Sequence, residues 1–211
     1  MDKQVESAVA EQKADITPFK KWFIKKIEFS NFLSFGDNQV LDFEKVNGIS
    51  TVESNPPNFG GKTVLTVDLL LFLFFNQTTK TKKAEEIFNR FRDKDKVSVK
   101  GEVRIDGEDY IIVREVNRKK KRSGDGYTVS TTLDFFKKLA DGSLLNFTGE
   151  QRRETEEFIK NSIGSMDDFL MTILTTSSNL EELIEAKPTA RGQVLSRFLG
   201  LDSLKLKEDV A

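Results

Sequence analysis

The apolar segment Val64–Phe75 (VLTVDLLLFLFF) directly follows Gly-Gly-Lys-Thr, and this junction constrains the fold more than any other feature of the chain. The segment is short of the ~20 residues that span a bilayer, and Thr66 and Asp68 interrupt it. We therefore predict a buried helix that begins at about Lys62. Glycines permit close approach of a ligand to the backbone, and the amides of a helix N-terminus attract anions. The junction thus predicts an anion site at the start of the helix.

The loop Pro56–Thr63 (PPNFGGKT) matches half of the phosphate-binding pattern G-x-x-x-x-G-K-[ST]. Gly61, Lys62 and Thr63 satisfy its second half. Its first glycine falls on Pro56, which has no N–H and cannot adopt positive φ. We expect Lys62 to reach the β- and γ-phosphates of a nucleotide and the Thr63 hydroxyl to bind Mg²⁺. The alternative is an ordinary glycine-rich turn before a helix, because short Gly-Lys-Thr strings also occur by chance.

The composition excludes several kinds of chemistry. Cys and His are both absent from the 211 residues, which excludes Cys nucleophiles, His bases, disulfides, and zinc or haem sites built on those ligands. A net charge of -1 means that binding to nucleic acid must come from a local patch. Residues 1–18 lack the apolar core of a signal peptide, and we expect a flexible polar lead-in.

Two hairpins are predicted from alternating apolar and polar residues. Trp22–Phe35 and Asn38–Phe43 form the first. Val97–Ile105 and Glu108–Val116 form the second, with Asp106-Gly107 as the turn, and Tyr127–Phe136 extends it into an antiparallel meander.

A short strand at Gly48–Val52 would complete the order strand, glycine-rich loop, helix. Lys80–Lys96 is predicted to be a short helix plus a loop. Helices follow at Gly149–Ile163 and at Ser165 to about Leu174, with Ser165 as N-cap. From Pro188 the apolar positions persist to Leu206 without a stop signal, which predicts the start of a coiled-coil helix. The expected domains are residues 19–187 and 188–211, after the lead-in.

Four stretches in this order resemble the SMC-like DNA repair ATPases of the SbcC type, a group that includes the large subunit of phage recombination endonucleases. They are IEFSNFLSFGDNQVLDF with NGISTVESN, the loop with its helix, GEDYIIVREV, and DDFLMTILTTSSNLEELIEAKPTARGQVLSRFLGLDSL. The resemblance covers roughly Phe23 to the C-terminus. It implies an α/β P-loop NTPase fold: half of an ABC/SMC-type head with a mixed sheet, the meander, and a C-terminal helix rooting a coiled coil.

The resemblance also implies a site for ATP and Mg²⁺. Its nucleotide-binding positions here are Asn58, Gly60, Gly61, Lys62, Thr63 and Val64. The Q-loop position aligns with Ser177, where the family has Gln. The chain further departs from the family at Pro56, Phe59 and Leu33, where relatives have Gly, Gly and often Arg, and these departures do not favour ATP turnover.

Walker B and the signature motif lie after the coiled coil in the family, and the chain has no candidate for either. The resemblance therefore implies four partners: the C-terminal half of the head, a second head in a homodimer, an SbcD-type nuclease subunit, and double-stranded DNA. It implies no membrane and a cytoplasmic location, in a bacterial cell or a phage-infected host.

One basic run, RKKKR, comprises Arg118, Lys119, Lys120, Lys121 and Arg122. It is predicted to be a loop between two strands that either contacts DNA phosphates or is simply solvated. Arg114, on an apolar strand, is either an ion-paired residue at the edge of the core or a residue near the nucleotide.

Three functions remain from the sequence. The chain is the ATP-binding lobe of an SbcC-like ATPase that processes DNA ends in repair or recombination, or a degenerate relative with a structural or binding role and little ATP turnover. The third, a stand-alone P-loop kinase or GTPase, is disfavoured by the meander and by the missing Walker B motif.

Overall fold

The computed structural model describes residues 21–57, 60–122, 125–174, 177–189 and 191–192. The chain forms two compact units: residues 21–162 make one, and the described part of the other begins at residue 163. The division into residues 1–18, 19–187 and 188–211 stays a prediction.

The first unit is built on a six-stranded sheet with the order β2-β1-β3-β4-β5-β6. The strands are β1 (Trp22–Ser30), β2 (Gln39–Asp42), β3 (Lys96–Ile105), β4 (Glu108–Lys120), β5 (Tyr127–Lys138) and β6 (Leu144–Asn146). Alternate residues of β3, β4 and β5 are buried, as expected for strands with one face on a core. The short 3-10 helices Phe43–Lys45 and Ala84–Glu86 lie in the connections.

Both predicted hairpins are confirmed. β3 and β4 pair from Ile105 opposite Glu108, and the turn residues Asp106 and Gly107 have φ of 49° and 87°. Positive φ at both central residues is the geometry that a two-residue hairpin turn favours. β1 and β2 also pair, but β1 ends at Ser30 rather than Phe35 because the next residue, Asn31, turns into the left-handed region with φ 57°.

Two predictions about the sheet are wrong for the described residues. Every strand pairing there is antiparallel, whereas a mixed sheet was expected. The segment Gly48–Val52 forms no strand, and its residues are exposed. A strand needs a neighbour for its backbone hydrogen bonds, and in the described part of the chain no other strand pairs with this segment.

A continuous helix, residues 62–75, follows the glycine-rich loop as predicted. It consists of helical Lys62 and Thr63, the π-helical segment Val64–Asp68 and α1 (Leu69–Phe75). Phe72 and Phe74 are buried, as expected. The helix packs closely on β3, where a Cβ added at Gly101 would lie 2.4 Å from a Leu73 methyl carbon.

The remaining helices are α2 (Arg152–Ile163), α3 (Met166–Thr172) and α4 (Ser177–Glu185), so both predicted helices after residue 149 are present, with shorter bounds. Phe158 of α2 lies 5.0 Å from Phe135 of the sheet, between ring centres. Pro188 and Thr189 are helical, as predicted for a first turn. The rest of the predicted coiled-coil helix lies outside the described residues. None of the described helices is long and apolar enough to cross a membrane.

Candidate phosphate-binding site

The two glycines before the helix have no room for a side chain. A Cβ on Gly60 would lie 2.3 Å from the Cβ of Ser54, and one on Gly61 would lie 2.5 Å from the Ser34 hydroxyl oxygen. Gly61 also has a φ of 66°, in the region that glycine adopts without steric cost. Close packing of the loop against Ser34, Phe35 and Ser54 therefore requires glycine at both positions.

Lys62 begins the helix, and its Nζ lies 3.4 Å from the hydroxyl oxygen of Ser54. Thr63 is exposed, and its side chain does not cap the helix. Val64 is buried beneath them. The structure thus places Gly60, Gly61, Lys62, Thr63 and Val64 together, and the predicted contact Asn58 lies outside the described residues.

The helix presents its positive end at this loop. The amide of Leu65 donates to the carbonyl of Gly61 at 3.0 Å, which makes Leu65 the first residue with a hydrogen bond along the helix. The amides of Lys62, Thr63 and Val64 precede that bond, so they belong to the group that a helix leaves without partners of its own. Together with the helix dipole and the Lys62 ammonium group, they have the character that anionic oxygen atoms require of a binding site.

The π-helical segment was not predicted from the sequence. In it, the amide of Leu69 donates to the carbonyl of Val64, five residues earlier. Its last residue, Asp68, is fully buried and accepts hydrogen bonds from the Thr79 amide at 2.5 Å and the Thr79 hydroxyl at 2.8 Å. Asp68 therefore ties the segment after the helix to the middle of the helix.

A cleft of about 380 Å³ opens beside Val64. Its apolar lining includes Leu33, Phe88 and Phe91, and its cations are Lys80 and Arg90. Sequence patterns missed this cleft, because its residues come from three loops with no fixed spacing. Ser54 was missed for the same reason.

The far end of helix 62–75 is held by Arg114. Its guanidinium donates to the carbonyls of Leu73 at 3.1 Å and Phe74 at 3.2 Å, and it pairs with Glu156 at 3.3 Å. Arg114 is fully buried. Burial lowers the pKa of its guanidinium to about 10, against the opposing effect of Glu156. Of the two roles that the sequence left open, the structure supports the ion-paired one.

The basic run is not entirely a loop, which corrects the prediction. Arg118, Lys119 and Lys120 are the last residues of β4 and pair with β5, so only Lys121 and Arg122 follow the strand. Arg118 is mostly buried and contacts two carboxylates, those of Asp95 at 3.1 Å and Asp93 at 3.5 Å. The other four cations of the run, Lys119, Lys120, Lys121 and Arg122, are exposed.

The remaining candidates lie elsewhere. Ser177, the predicted Q-loop position, is the first residue of α4 in the second unit and is exposed. Among the described residues, no cluster of three or more acidic side chains could hold a metal ion. Thr63, the predicted Mg²⁺ ligand, is exposed beside Lys62 at the start of the helix.

Two glycines followed by Lys and Thr at the start of a buried helix are typical of the P-loop NTPases. Comparison with models of known protein families gives no match. The chain is 25% identical over 189 residues to the DNA double-strand break repair Rad50 ATPase of Thermoplasma acidophilum, which covers 89% of the chain and 19% of that protein. It is 24% identical over 190 residues to the uncharacterised protein R555 of Acanthamoeba polyphaga mimivirus, which covers 88% of the chain and 14% of that protein.

The chain is thus related to the SMC-like, Rad50-type DNA repair ATPases over part of an ATPase head, which confirms the family resemblance. It spans less than a fifth of the length of these two relatives. Two structures of the recombination mediator RecF, with ATP and with an ATP analogue, have TM-scores of 0.38 and 0.40 at 20% and 18% identity. They cover 63% and 77% of this chain, and 31% and 37% of the RecF chains.

Proposed function

We propose that the chain binds ATP with Mg²⁺ as the N-terminal lobe of an SbcC-like ATPase that processes DNA ends in repair or recombination. The observation that carries the proposal is the start of a buried helix at which the amides of Lys62, Thr63 and Val64 precede the first hydrogen bond of the helix, with the Lys62 ammonium group beside them. Amides at a helix N-terminus suit the anionic oxygen atoms of a phosphate.

In this proposal each residue of the site acts on one part of the nucleotide. Lys62 leaves its weak contact with Ser54 and neutralises the β- and γ-phosphates. The amides of Lys62, Thr63 and Val64 donate to phosphate oxygens, and the Thr63 hydroxyl binds Mg²⁺. The cleft beside Val64 takes the base and the ribose, because it offers apolar side chains for a ring and cations at its rim.

Hydrolysis needs groups that the described residues do not supply, so the proposal includes a C-terminal half of the head, a second head and an SbcD-type nuclease subunit. The exposed cations Lys119, Lys120, Lys121 and Arg122 would contact the phosphates of double-stranded DNA. A second candidate function is a degenerate module with little ATP turnover. Ser177, in place of the family's Gln, favours it.

The proposal is tested by calorimetric titration of the chain with ATP in the presence of Mg²⁺. We expect binding that Lys62→Ala abolishes and that Lys82→Ala, an exposed cation on another loop, leaves unchanged. Equal affinity in the Lys62→Ala variant would exclude this loop as the site. Absence of binding at millimolar ATP, both in the chain and in the completed head, would favour the degenerate module.

A further inference from the structure

Arg118 stands between two aromatic rings at the end of β4. The carbon of its guanidinium lies 4.7 Å from the ring centre of Phe88 and 4.6 Å from that of Tyr127. Its Nε donates to Asp95 at 3.1 Å, and its backbone amide donates to the carbonyl of Asp95 at 2.9 Å. Because its side chain is only 14% exposed and already engaged, Arg118 is poorly placed to contact DNA.

These contacts join the hairpin of β4 and β5 to one segment, residues 88–95. Tyr127 belongs to β5 and pairs with Lys120, whereas Phe88 and Asp95 lie at the two ends of the segment. Near Phe88 the segment is also attached by backbone hydrogen bonds to the turn after β1. The amide of Leu33 donates to Ile87 at 2.8 Å, and the amide of Asn89 donates to Asn31 at 3.1 Å.

Phe88 is the residue through which these contacts meet the candidate nucleotide site. One side of its ring faces Arg118, and it also lines the cleft beside Val64. Arg90 and Phe91, next along the segment, line the same cleft. Phe88, Arg90 and Phe91 thus form one wall of the cleft. The position of this cleft wall depends on the contact between Phe88 and Arg118.

We propose that Arg118 is a positioning residue for the base end of the nucleotide site. It holds Phe88, and with it Arg90 and Phe91, in the geometry of the cleft wall, although it touches no part of the nucleotide itself. This inference rests on the proposed function, because it assigns the cleft to the base and the ribose of ATP.

The chemistry of arginine explains why this residue type occupies the position. A planar guanidinium can stack on two rings at once and still donate hydrogen bonds in its plane, and the ammonium group of lysine cannot. The carboxylates of Asp93 and Asp95 are largely exposed, so their ion pairs contribute little in water. The stacking on Phe88 and Tyr127 is then the contact that fixes the wall, and Arg118→Lys should lose it while keeping the charge.

The experiment compares two ligands of the 211-residue chain: ATP with Mg²⁺, and inorganic tripolyphosphate with Mg²⁺, which has no base or ribose. We expect Arg118→Ala to weaken ATP binding roughly five- to tenfold, on the scale of a lost stacking contact, and to leave tripolyphosphate affinity unchanged. Lys62→Ala should weaken the binding of both ligands. Arg153→Ala, which removes an exposed arginine of α2, should change neither.

Two further variants identify the route of the effect. Arg118→Lys should resemble Arg118→Ala. Phe88→Leu should weaken the binding of ATP but not that of tripolyphosphate. Adding Arg118→Ala to Phe88→Leu should cause little further loss of ATP affinity, because both changes act on the same cleft wall.

The possible outcomes separate the two proposals. Equal loss of ATP and tripolyphosphate affinity in Arg118→Ala would show general damage to the fold and would overturn the inference, as would unchanged ATP affinity. An ATP affinity of the Arg118→Lys variant equal to that of the unmodified chain would also overturn the inference. If neither the unmodified chain nor the completed head binds either ligand, the proposed function fails and the inference fails with it.

Discussion

Arg114 carries a positive charge into the interior of the first unit. The pKa of its guanidinium is lowered to about 10 chiefly because burial removes water, yet the group remains protonated at neutral pH. Its partners are the carbonyls at the negative end of helix 62–75, together with Glu156. A cation at this end of the helix also compensates the helix dipole.

Removing Arg114 should therefore be costly. Arg114→Ala leaves two buried carbonyls without donors, and we expect the free energy of unfolding to fall by about 3 kcal/mol or more. Urea denaturation measures the change. The control is Arg152→Ala, because Arg152 also pairs with Glu156 but is half exposed. Its loss should cost less than about 1 kcal/mol, and equal costs in the two variants would contradict the account.

Asp109 is the residue whose ionisation should matter most in acid. Hydrogen bonds from Arg104, with further support from Lys25, lower the pKa of its carboxyl to about 2. Because this pKa lies below its value in the unfolded chain, the stabilisation is present above about pH 4 and is lost as the pH falls towards 2.

The corresponding variant is Asp109→Asn. We expect it to lower the free energy of unfolding by about 2 kcal/mol at pH 7 and to flatten the fall in stability between about pH 4 and pH 2. Thermal unfolding as a function of pH records both effects. Asp125→Asn, at an exposed position, serves as the control. If the stability of the Asp109→Asn variant falls as steeply between about pH 4 and pH 2 as that of the unmodified chain, other carboxyl groups cause the acid sensitivity.

At the scale of elements, the sequence predicted the parts whose signals are local. The β3–β4 hairpin follows from its Asp-Gly turn, and the helix at Lys62 follows from glycines before a long apolar run. The strand predicted at Gly48–Val52 was wrong, because a short apolar run forms a strand only where a neighbouring strand exists, and no local signal reports that neighbour. The pairing of Arg118 with Asp93 and Asp95 was equally hidden, since it joins residues far apart in the sequence.

The packing of helix 62–75 on β3 depends on Gly101. Gly101→Ala places a Cβ within 2.4 Å of Leu73, which is too close for two carbon atoms. We expect a loss of about 1–3 kcal/mol in the free energy of unfolding, measured in urea. Adding Leu73→Ala should make the two costs less than additive, because the smaller side chain leaves room for the new methyl group. Strict additivity would argue against this contact.

The end of the β4–β5 hairpin offers a test of DNA contact. Replacing Lys119, Lys120 and Lys121 by Ala should weaken the binding of double-stranded DNA by the assembled protein and flatten the plot of log affinity against log salt, because fewer counterions are released. ATP affinity should not change. Fluorescence anisotropy at several salt concentrations gives the slope. An unchanged slope would mean that the run is only solvated.

At the scale of the whole molecule, several apolar side chains in β2 and in the segment that follows it are exposed, including Val40, Ile49 and Val52. The proposed C-terminal half of the head would cover them. Ile49→Ser should then leave the stability of the chain unchanged within about 0.5 kcal/mol, whereas Val99→Ser, at a buried position in β3, should cost more than about 2 kcal/mol. The same Ile49→Ser change should weaken association with that half in a titration. Unchanged association of the Ile49→Ser variant would show that Ile49 is not part of the interface.

Arg114 and Glu156 have a further consequence for work with fragments of the protein. The two residues are 42 positions apart, and only α2 brings the carboxylate to the guanidinium. A fragment that stops after the sheet would keep the glycine-rich loop and its helix but would leave Arg114 buried without its counter-ion. The shortest piece in which helix 62–75 keeps the contacts at its C-terminal end must therefore extend through α2, although no residue of α2 lies in the glycine-rich loop.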